Sequence, residues 1–165
     1  MKSGRIYDKE AWMLIASGKP APDFELQDET GTKRHLSDYK GANIVLYFYP
    51  KDDTPGCTTE ACSFRDSYKE YLKAGAVILG VSPDSVHSHE KFKEKYHLPF
   101  PLLADPDHKV CDLYGVWGLK KMAGREYYGV NRTTYLINPE GIIQKVFEKV
   151  KPAEHSPEVL EALCV

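Results

Sequence analysis

Length, composition and charge already exclude several classes of protein. The chain has 165 residues, of which 42% are hydrophobic and 28% are charged, as in an ordinary globular domain. Its 22 basic and 24 acidic residues give a net charge of −2, so the basic excess that usually accompanies binding to nucleic acid or a membrane surface is missing. No apolar run reaches the roughly 18 residues of a membrane-spanning helix, which argues against an integral membrane protein.

Residues 1–18 are predicted to be an N-terminal extension, and residues 19–165 a single domain with no repeat or linker that would divide it. The apolar residues near the end of the extension are compatible with one or two helical turns that pack on the domain, or that cap a partner. After Lys19 the signals for turns and strands become regular. Residues 24–26 and 33–36 flank an Asp-Glu-Thr-Gly turn and predict a small N-terminal β-hairpin.

The remaining elements alternate between strands and helices. Residues 43–49 and 76–81 are continuous apolar runs, typical of strands that are buried on both faces of a sheet. Residues 133–137 and 142–147 flank an Asn-Pro-Glu-Gly turn and predict an antiparallel hairpin. Helical patterns occupy the segments 55–73, 85–96, 107–114 and 157–164. This order predicts an α/β fold with a central mixed β-sheet flanked by helices.

The four cysteines, Cys57, Cys62, Cys111 and Cys164, are too few and too irregularly spaced for a disulfide scaffold. The first 18 residues contain no long apolar segment and carry acidic side chains, so we expect neither a secretory signal nor a transit peptide. The expected compartment is therefore the reducing cytoplasm, where a cysteine remains a thiol unless it takes part in chemistry.

The loop after the first buried strand carries the strongest chemical signal. Pro50 ends the strand, and Pro55 favours the start of a helix, so Cys57 is predicted in the first helical turn. The free backbone amides and the positive end of the helix dipole favour an anion there, and the thiolate is the nucleophilic form of cysteine. A cysteine chosen at random is more often a buried structural residue. The Thr-Pro-Gly sequence directly before Cys57 favours a reactive cysteine instead.

Cys62 follows Cys57 by five residues, which on an ideal helix gives about 140° of rotation and a Cα separation of about 8.6 Å. A disulfide requires Cα atoms closer than roughly 7 Å. The two cysteines can therefore react with each other only if the first turns of the helix unwind. We expect a reduced, folded form and an oxidised, locally unfolded form, with two uncoupled helix cysteines as the alternative.

Pro50, Thr54 and Cys57 match the P-x-x-x-T-x-x-C signature of peroxiredoxins. The string Pro-Gly-Cys-Thr-Thr-Glu-Ala-Cys-Ser-Phe-Arg-Asp around Cys57 resembles the peroxiredoxin Q subfamily, also called bacterioferritin comigratory protein. The resemblance covers roughly residues 19–163. It implies a thioredoxin-like fold and the reduction of hydrogen peroxide and organic hydroperoxides without metal, haem or other cofactor, in antioxidant defence and redox homeostasis.

The resemblance also implies roles for single residues. Cys57 would be the peroxidatic cysteine, oxidised to a sulfenic acid, and Cys62 the resolving cysteine. Their intramolecular disulfide would be reduced by thioredoxin or glutaredoxin. Thr54 would help to hold the peroxide oxygens, and Pro50 would shield the site from water. Arg132 would stabilise the thiolate and the charge at the breaking O–O bond; without the resemblance it would be interpreted as a surface cation.

Three further residues are predicted to have supporting or minor roles. Glu60 is expected to support the loop by accepting hydrogen bonds from amides or from an arginine. Cys111 is expected in the core, with a minor resolving role left open. Cys164 is expected to be an incidental exposed thiol. A monomer is favoured, and a dimer is possible.

A metal site is not expected. The spacing of Cys57 and Cys62 lacks the tight pairs of structural zinc sites. His87, His89 and His97 lie on one predicted helix that is rich in Lys and Glu, and the first two differ by about 200° around its axis, so they do not converge on one ligand. A solvated face is expected for this helix instead. The other three histidines are isolated in the sequence: His35, His108 and His155.

Two other functions remain open from the sequence. A thiol-disulfide oxidoreductase of the same fold class would require a Cys-x-x-Cys motif at the helix start, which the sequence around Cys57 lacks. A redox-sensing interaction module would react with peroxide slowly, without the acceleration expected from Thr54 and Arg132.

Overall fold

A mixed seven-stranded sheet lies at the centre of the computed structural model, which describes residues 13–163. The strands of this part of the chain are β1 (Glu25–Gln27), β2 (Lys33–His35), β3 (Asn43–Phe48), β4 (Ala76–Ser82), β5 (Leu102–Ala104), β6 (Trp117–Met122), β7 (Arg125–Val130), β8 (Thr133–Ile137) and β9 (Ile143–Phe147). The sheet has the order β2-β1-β5-β4-β3-β8-β9, whereas β6 and β7 form a separate ribbon. β4 is parallel to both β3 and β5, and the other pairs are antiparallel. The mixed sheet and the β1–β2 hairpin are as predicted.

The helices of the described residues are α1 (Pro55–Asp66), α2 (Tyr68–Lys73), α3 (Val86–Tyr96), α4 (Lys109–Leu113) and α5 (His155–Leu163), with a short 3-10 turn at Leu36–Tyr39. Among residues 13–163, none of these helices combines the length and the apolar character needed to cross a bilayer.

Two apolar clusters cover the two faces of the sheet, and β3 contributes to both. Val45 and Tyr47 belong to the cluster that includes side chains of α1, α2, α3 and α5, whereas Ile44, Leu46 and Phe48 belong to the cluster that includes α4. Side chains of a strand alternate between its faces, so β3 is buried on both sides. This burial explains why its sequence is continuously apolar, and it places the end of β3 between two helical layers.

The helix predicted over residues 55–73 is interrupted, so its predicted length is wrong. Ser67 (φ −104°, ψ 13°) ends α1, and α2 begins at the next residue. Serine favours helix ends over helix interiors because it competes for backbone hydrogen bonds. The break also changes the inward face: Tyr71 is fully buried, but Leu72, predicted on the same apolar stripe, is 54% exposed.

The sequence also gives no signal for β5 or for the β6–β7 ribbon. β5 has only three residues, which is too short for a recognisable pattern. The ribbon is mostly exposed or partly buried, so neither of its strands requires an apolar run. Burial on both faces is what made β3 and β4 recognisable.

The helical turns predicted for the apolar residues of the N-terminal extension begin among residues 1–12, outside the described residues, but at Met13, Leu14 and Ile15 the prediction is wrong. Residues 13–16 are not helical. Leu14 and Ile15 pack against the apolar cluster on the α4 side, and the Ile15 amide donates to the Tyr135 hydroxyl oxygen (3.1 Å). This short part of the extension therefore packs on the domain. The boundary after residue 18 stays a prediction.

Candidate active site

Cys57 lies in the first turn of α1, just beyond the C-terminal end of β3. Thr54 is the extended residue before the helix, and Pro55 occupies the first helical position, where its missing N–H costs no hydrogen bond. The Thr58 amide closes the first turn by donating to the Thr54 carbonyl oxygen (2.8 Å). Cys57 is only 1% exposed. The cysteine is thus buried at a helix N-terminus, where the helix dipole favours negative charge.

Pro50 and Thr54 lie at the two ends of the loop between β3 and α1. Both are partly buried. The Thr54 hydroxyl donates to the Lys51 carbonyl oxygen across this loop (3.0 Å). Because its proton is engaged there, the hydroxyl oxygen is oriented as a hydrogen-bond acceptor.

Arg132 lies in the short connection between β7 and β8, and its guanidinium reaches the start of α1. Its Nη1 donates to Glu60 Oε1 (2.8 Å). Its Nη2 lies beside Gly56, because a Cβ added to this glycine would be 3.1 Å from Arg132 Nη2. Burial lowers the pKa of Arg132, but the charges of Glu60 and Cys57 and hydrogen bonds to both outweigh burial, so the pKa is raised. The structure therefore brings Arg132 to Cys57; it is not a surface cation.

Glu60 lies one helical turn after Cys57 and is 1% exposed. Burial raises its pKa to about 7, and the charge and hydrogen bond of Arg132 offset this only in part. Its second oxygen, Oε2, has no hydrogen-bond partner among the described residues. The expected role of Glu60 as an acceptor for an arginine agrees with this geometry.

Lys120 is a second cation near Cys57. It could not be found from the sequence, because it lies on the β6–β7 ribbon, which has no recognisable strand pattern. Its Nζ donates to the Val130 carbonyl oxygen (2.8 Å), and its stem passes over Gly129, where a Cβ would lie 3.4 Å from Lys120 Cδ. Burial and the charge of Arg132 lower the pKa of Lys120, and Cys57 opposes them.

Asp52, in the middle of the loop, forms a buried hydrogen-bond network with α3. Its carboxylate accepts from the Tyr49 hydroxyl (2.6 Å), the Ser88 hydroxyl (2.8 Å) and His89 Nδ1 (2.7 Å). His89 Nε2 lies 2.9 Å from the Leu103 carbonyl oxygen. The loop before Cys57 is thereby fixed to α3 and, through His89, to β5.

His89 corrects the prediction of a solvated histidine face on this helix. It is fully buried, on the same side of α3 as Phe92, whereas His87 and His97 are exposed as predicted. Ligand atoms of Asp52, Asp84 and His89 lie within 4.8 Å of one another, a spacing that could hold a metal ion. All three side chains already take part in hydrogen bonds. His89 binds Asp52 through Nδ1 and the Leu103 carbonyl oxygen through Nε2, and Asp84 Oδ2 accepts from the Asp52 amide (2.8 Å).

Two other histidines are less isolated than the sequence suggests. His155 is fully buried, with its ring nitrogens 2.7 Å from Glu158 Oε1 and 2.7 Å from Thr134 Oγ1. The ring of His108 stacks on that of Trp117, with centroids 3.9 Å apart. Neither histidine belongs to the loop around Cys57.

Cys62 is partly buried in the middle of α1, and it is a free thiol, as is Cys57. Burial raises the pKa of the Cys62 thiol; the charge of Arg65 lowers it to a smaller extent, and that of Asp66 raises it further. Because α1 is a continuous helix from Pro55 onwards, the structure does not bring the two cysteines together. It shows the reduced, folded arrangement.

Cys111 is fully buried in the apolar cluster on the α4 side, whereas Cys57 belongs to the cluster on the other side of the sheet. Burial, followed by the charge of Asp105, raises the pKa of the Cys111 thiol well above its usual range. This position confirms the prediction of a core residue, and the minor resolving role stays a prediction. Cys164 lies outside the described residues.

The model of the AhpC/TSA family matches residues 17–146 of the chain. The chain belongs to this peroxiredoxin family. Peroxiredoxin Bcp of Bacillus subtilis is 55% identical over 151 residues, which cover 92% of this chain and 96% of the relative. Peroxiredoxin Bcp of Escherichia coli is 43% identical over 149 residues, with coverage of 90% and 96%.

Solved structures of similar peroxiredoxins have the same fold. The bacterioferritin comigratory protein of Xanthomonas campestris, studied for its alkyl peroxide reduction activity, superimposes with a TM-score of 0.84 at 42% identity, covering 90% of this chain and 98% of its own. A cysteine mutant of Xylella fastidiosa peroxiredoxin Q has a TM-score of 0.86 at 36% identity, with coverage of 91% and 96%. The thioredoxin-like fold and the peroxiredoxin Q resemblance are confirmed. The chain is thus a thiol-specific peroxidase, with a peroxide substrate and a thioredoxin-type reductant.

Proposed function

We propose that Cys57 is the peroxidatic cysteine and that the enzyme reduces both hydrogen peroxide and organic hydroperoxides. The observation that carries this proposal is the position of the Arg132 guanidinium, which donates to Glu60 and lies beside Gly56, directly before the buried Cys57 at the start of α1. A fixed guanidinium and a helix N-terminus both favour the negative charge of a thiolate and of the transition state.

In the first step, the Cys57 thiolate attacks one peroxide oxygen. The S–O bond forms as the O–O bond breaks, and the leaving oxygen takes up a proton and departs as water or alcohol. The acceptor orientation of the Thr54 hydroxyl suits the O–H of an incoming peroxide. Arg132 stabilises the charge that develops on the oxygens, and Pro50 limits the access of water from the end of β3.

In the second step, the Cys62 thiol attacks the Cys57 sulfenic acid, forms the disulfide and releases water. This requires the first turns of α1 to unwind, since an intact helix keeps the two sulfurs apart. The break at Ser67 favours such unwinding, because α1 can open without disrupting the separate helix α2. Thioredoxin is the proposed reductant of the disulfide, with glutaredoxin as the alternative, in a monomeric cytoplasmic enzyme.

The proposal is tested by stopped-flow peroxide consumption in matched variants. Cys57→Ser should abolish it, whereas Cys62→Ser should still complete one stoichiometric turnover but form no intramolecular disulfide. Replacing Arg132 with Met should lower the second-order rate constant by about 10²-fold or more. Lys121→Met, which removes an exposed cation from the ribbon, is the control and should change little. Undiminished consumption in Cys57→Ser would refute the assignment, and a cycle driven by glutaredoxin alone would refute thioredoxin as reductant.

A further inference from the structure

The last turn of α3 contacts the chain on both sides of the segment that contains Cys57 and Cys62. The Tyr96 hydroxyl donates to Asp53 Oδ1 (2.9 Å), just before α1. The Tyr96 carbonyl oxygen accepts from Arg65 Nη1 (2.7 Å), in the last turn of α1. One residue of α3 therefore holds both ends of the segment 54–64, which we call the redox segment.

Asp53 has an unusual backbone conformation that this contact supports. Its φ is +57°, in the left-handed region that few residues other than Gly, Asn and Asp adopt. Besides Tyr96, its carboxylate accepts from Lys95 Nζ (2.8 Å). These two hydrogen bonds lower the pKa of Asp53. The side chain is thus tied to α3 where the backbone turns into α1.

The helix that provides these contacts is itself well anchored. The Tyr96 ring packs edge-to-face on Phe92, with centroids 5.5 Å apart. Two turns earlier on α3, His89 binds Asp52, the residue before Asp53. In this folded arrangement the chain before the redox segment is therefore held at two successive residues, Asp52 and Asp53.

We propose that Tyr96 is a positioning residue that braces both ends of the redox segment and keeps α1 folded around Cys57 until the sulfenic acid has formed. The inference rests on the proposed function of Cys57 and Cys62. In the closed form, Tyr96 makes its contacts with both Asp53 and Arg65. In the open form, α1 is unwound between these two residues and the contacts with Tyr96 are broken.

The brace then controls the fate of the sulfenic acid. In the open form, the sulfenic acid condenses with the Cys62 thiol to give a disulfide and water. In the closed form, a second peroxide oxidises it to the sulfinic acid, and that peroxide is reduced to water or alcohol. A weaker brace should favour the disulfide, because the closed form is populated less and opens sooner.

The test uses variants that remove single contacts. Tyr96→Phe deletes the hydroxyl but keeps the ring and the carbonyl oxygen that Arg65 binds. Lys95→Met deletes the second donor to Asp53. Lys91→Met is the matched control, because it removes one exposed cation from the same helix. Amide hydrogen exchange of residues 56–63 is measured in the reduced protein, and the sulfinic and disulfide products are quantified by mass spectrometry at graded peroxide concentrations.

We expect exchange of these amides to accelerate about two- to fivefold in Tyr96→Phe and Lys95→Met, the range expected for exposed polar contacts, but not in Lys91→Met. The peroxide concentration that converts half of Cys57 to sulfinic acid should rise by a similar factor. The rate constant of the first peroxide reaction should stay nearly unchanged, because the closed form still predominates.

Exchange that is unchanged, or accelerated equally in Lys91→Met, would overturn the proposal. A lower thermal unfolding midpoint with an unaltered ratio of products would do so too, because it would show a purely structural role. The exchange measurement needs no turnover. It therefore tests the brace even if Cys57 proves not to be the nucleophile, and the two failures can be told apart.

Discussion

At the scale of single residues, the pKa of the Glu60 carboxyl group is shifted in opposite directions by burial and by Arg132. Burial raises its pKa from 4.5 to about 7, and Arg132 counteracts this only partly. Between these two values the folded protein binds a proton that the unfolded chain has released. The contribution of Glu60 to stability is therefore fully present below about pH 4.5 and is lost as the pH rises through about 7.

Glu60→Gln should remove this pH dependence, because glutamine stays neutral and keeps an oxygen that can accept from Arg132. Its free energy of unfolding relative to wild type should rise with pH across this range, by on the order of 3 kcal/mol. Urea unfolding at several pH values measures this difference in the free energy of unfolding. The contributions of titratable groups that both proteins share cancel in it. Glu70→Gln, at an exposed position of α2, should show a flat difference. A flat difference for Glu60→Gln as well would contradict the raised pKa.

At the scale of elements, α3 shows what a sequence pattern can and cannot predict. Its position follows from the sequence: Ser85 caps the helix by accepting from the Ser88 amide (3.1 Å), and the predicted range of 85–96 differs from the observed one by a single residue. The burial of His89 does not follow, because its partner Asp52 lies 37 residues earlier in the chain. A helical pattern indicates which residues share a face, but not which distant loop that face meets.

His89→Ala should destabilise the protein by about 3 kcal/mol, since it removes one of the three side-chain donors to the buried Asp52 carboxylate and leaves a cavity where the fully buried ring lay. His87→Ala, two residues earlier on the exposed side of α3, should stay within about 0.5 kcal/mol of wild type. Chemical unfolding of the two variants gives the comparison. Equal losses would show that the network around Asp52 contributes nothing specific to the loop before Cys57.

At the scale of the whole molecule, the sheet places Cys57 and Cys111 in the apolar clusters on its two opposite faces. Strands β3 and β4 could be predicted because they are buried on both faces, and the loop after β3 because its proline, threonine and cysteine form a recognisable motif. The ribbon that carries Lys120, and the break at Ser67, lack such signals because exposed strands and short helices tolerate many sequences. Sequence spacing also leaves open which cysteine meets Cys57, whereas the fold separates Cys57 and Cys111 by the full thickness of the sheet.

Cys111→Ala should therefore leave peroxide turnover and the Cys57–Cys62 disulfide intact, because its sulfur lies in the apolar cluster on the α4 side. The loss of a small buried side chain should lower the free energy of unfolding by about 1 kcal/mol. Disulfide mapping after one equivalent of peroxide, together with urea unfolding, checks both expectations. Cys62→Ala is the contrasting variant, and it should lose the disulfide with little change in stability, since Cys62 is only partly buried. A disulfide that disappears in Cys111→Ala instead would mean that oxidation rearranges the sheet itself, and not only α1.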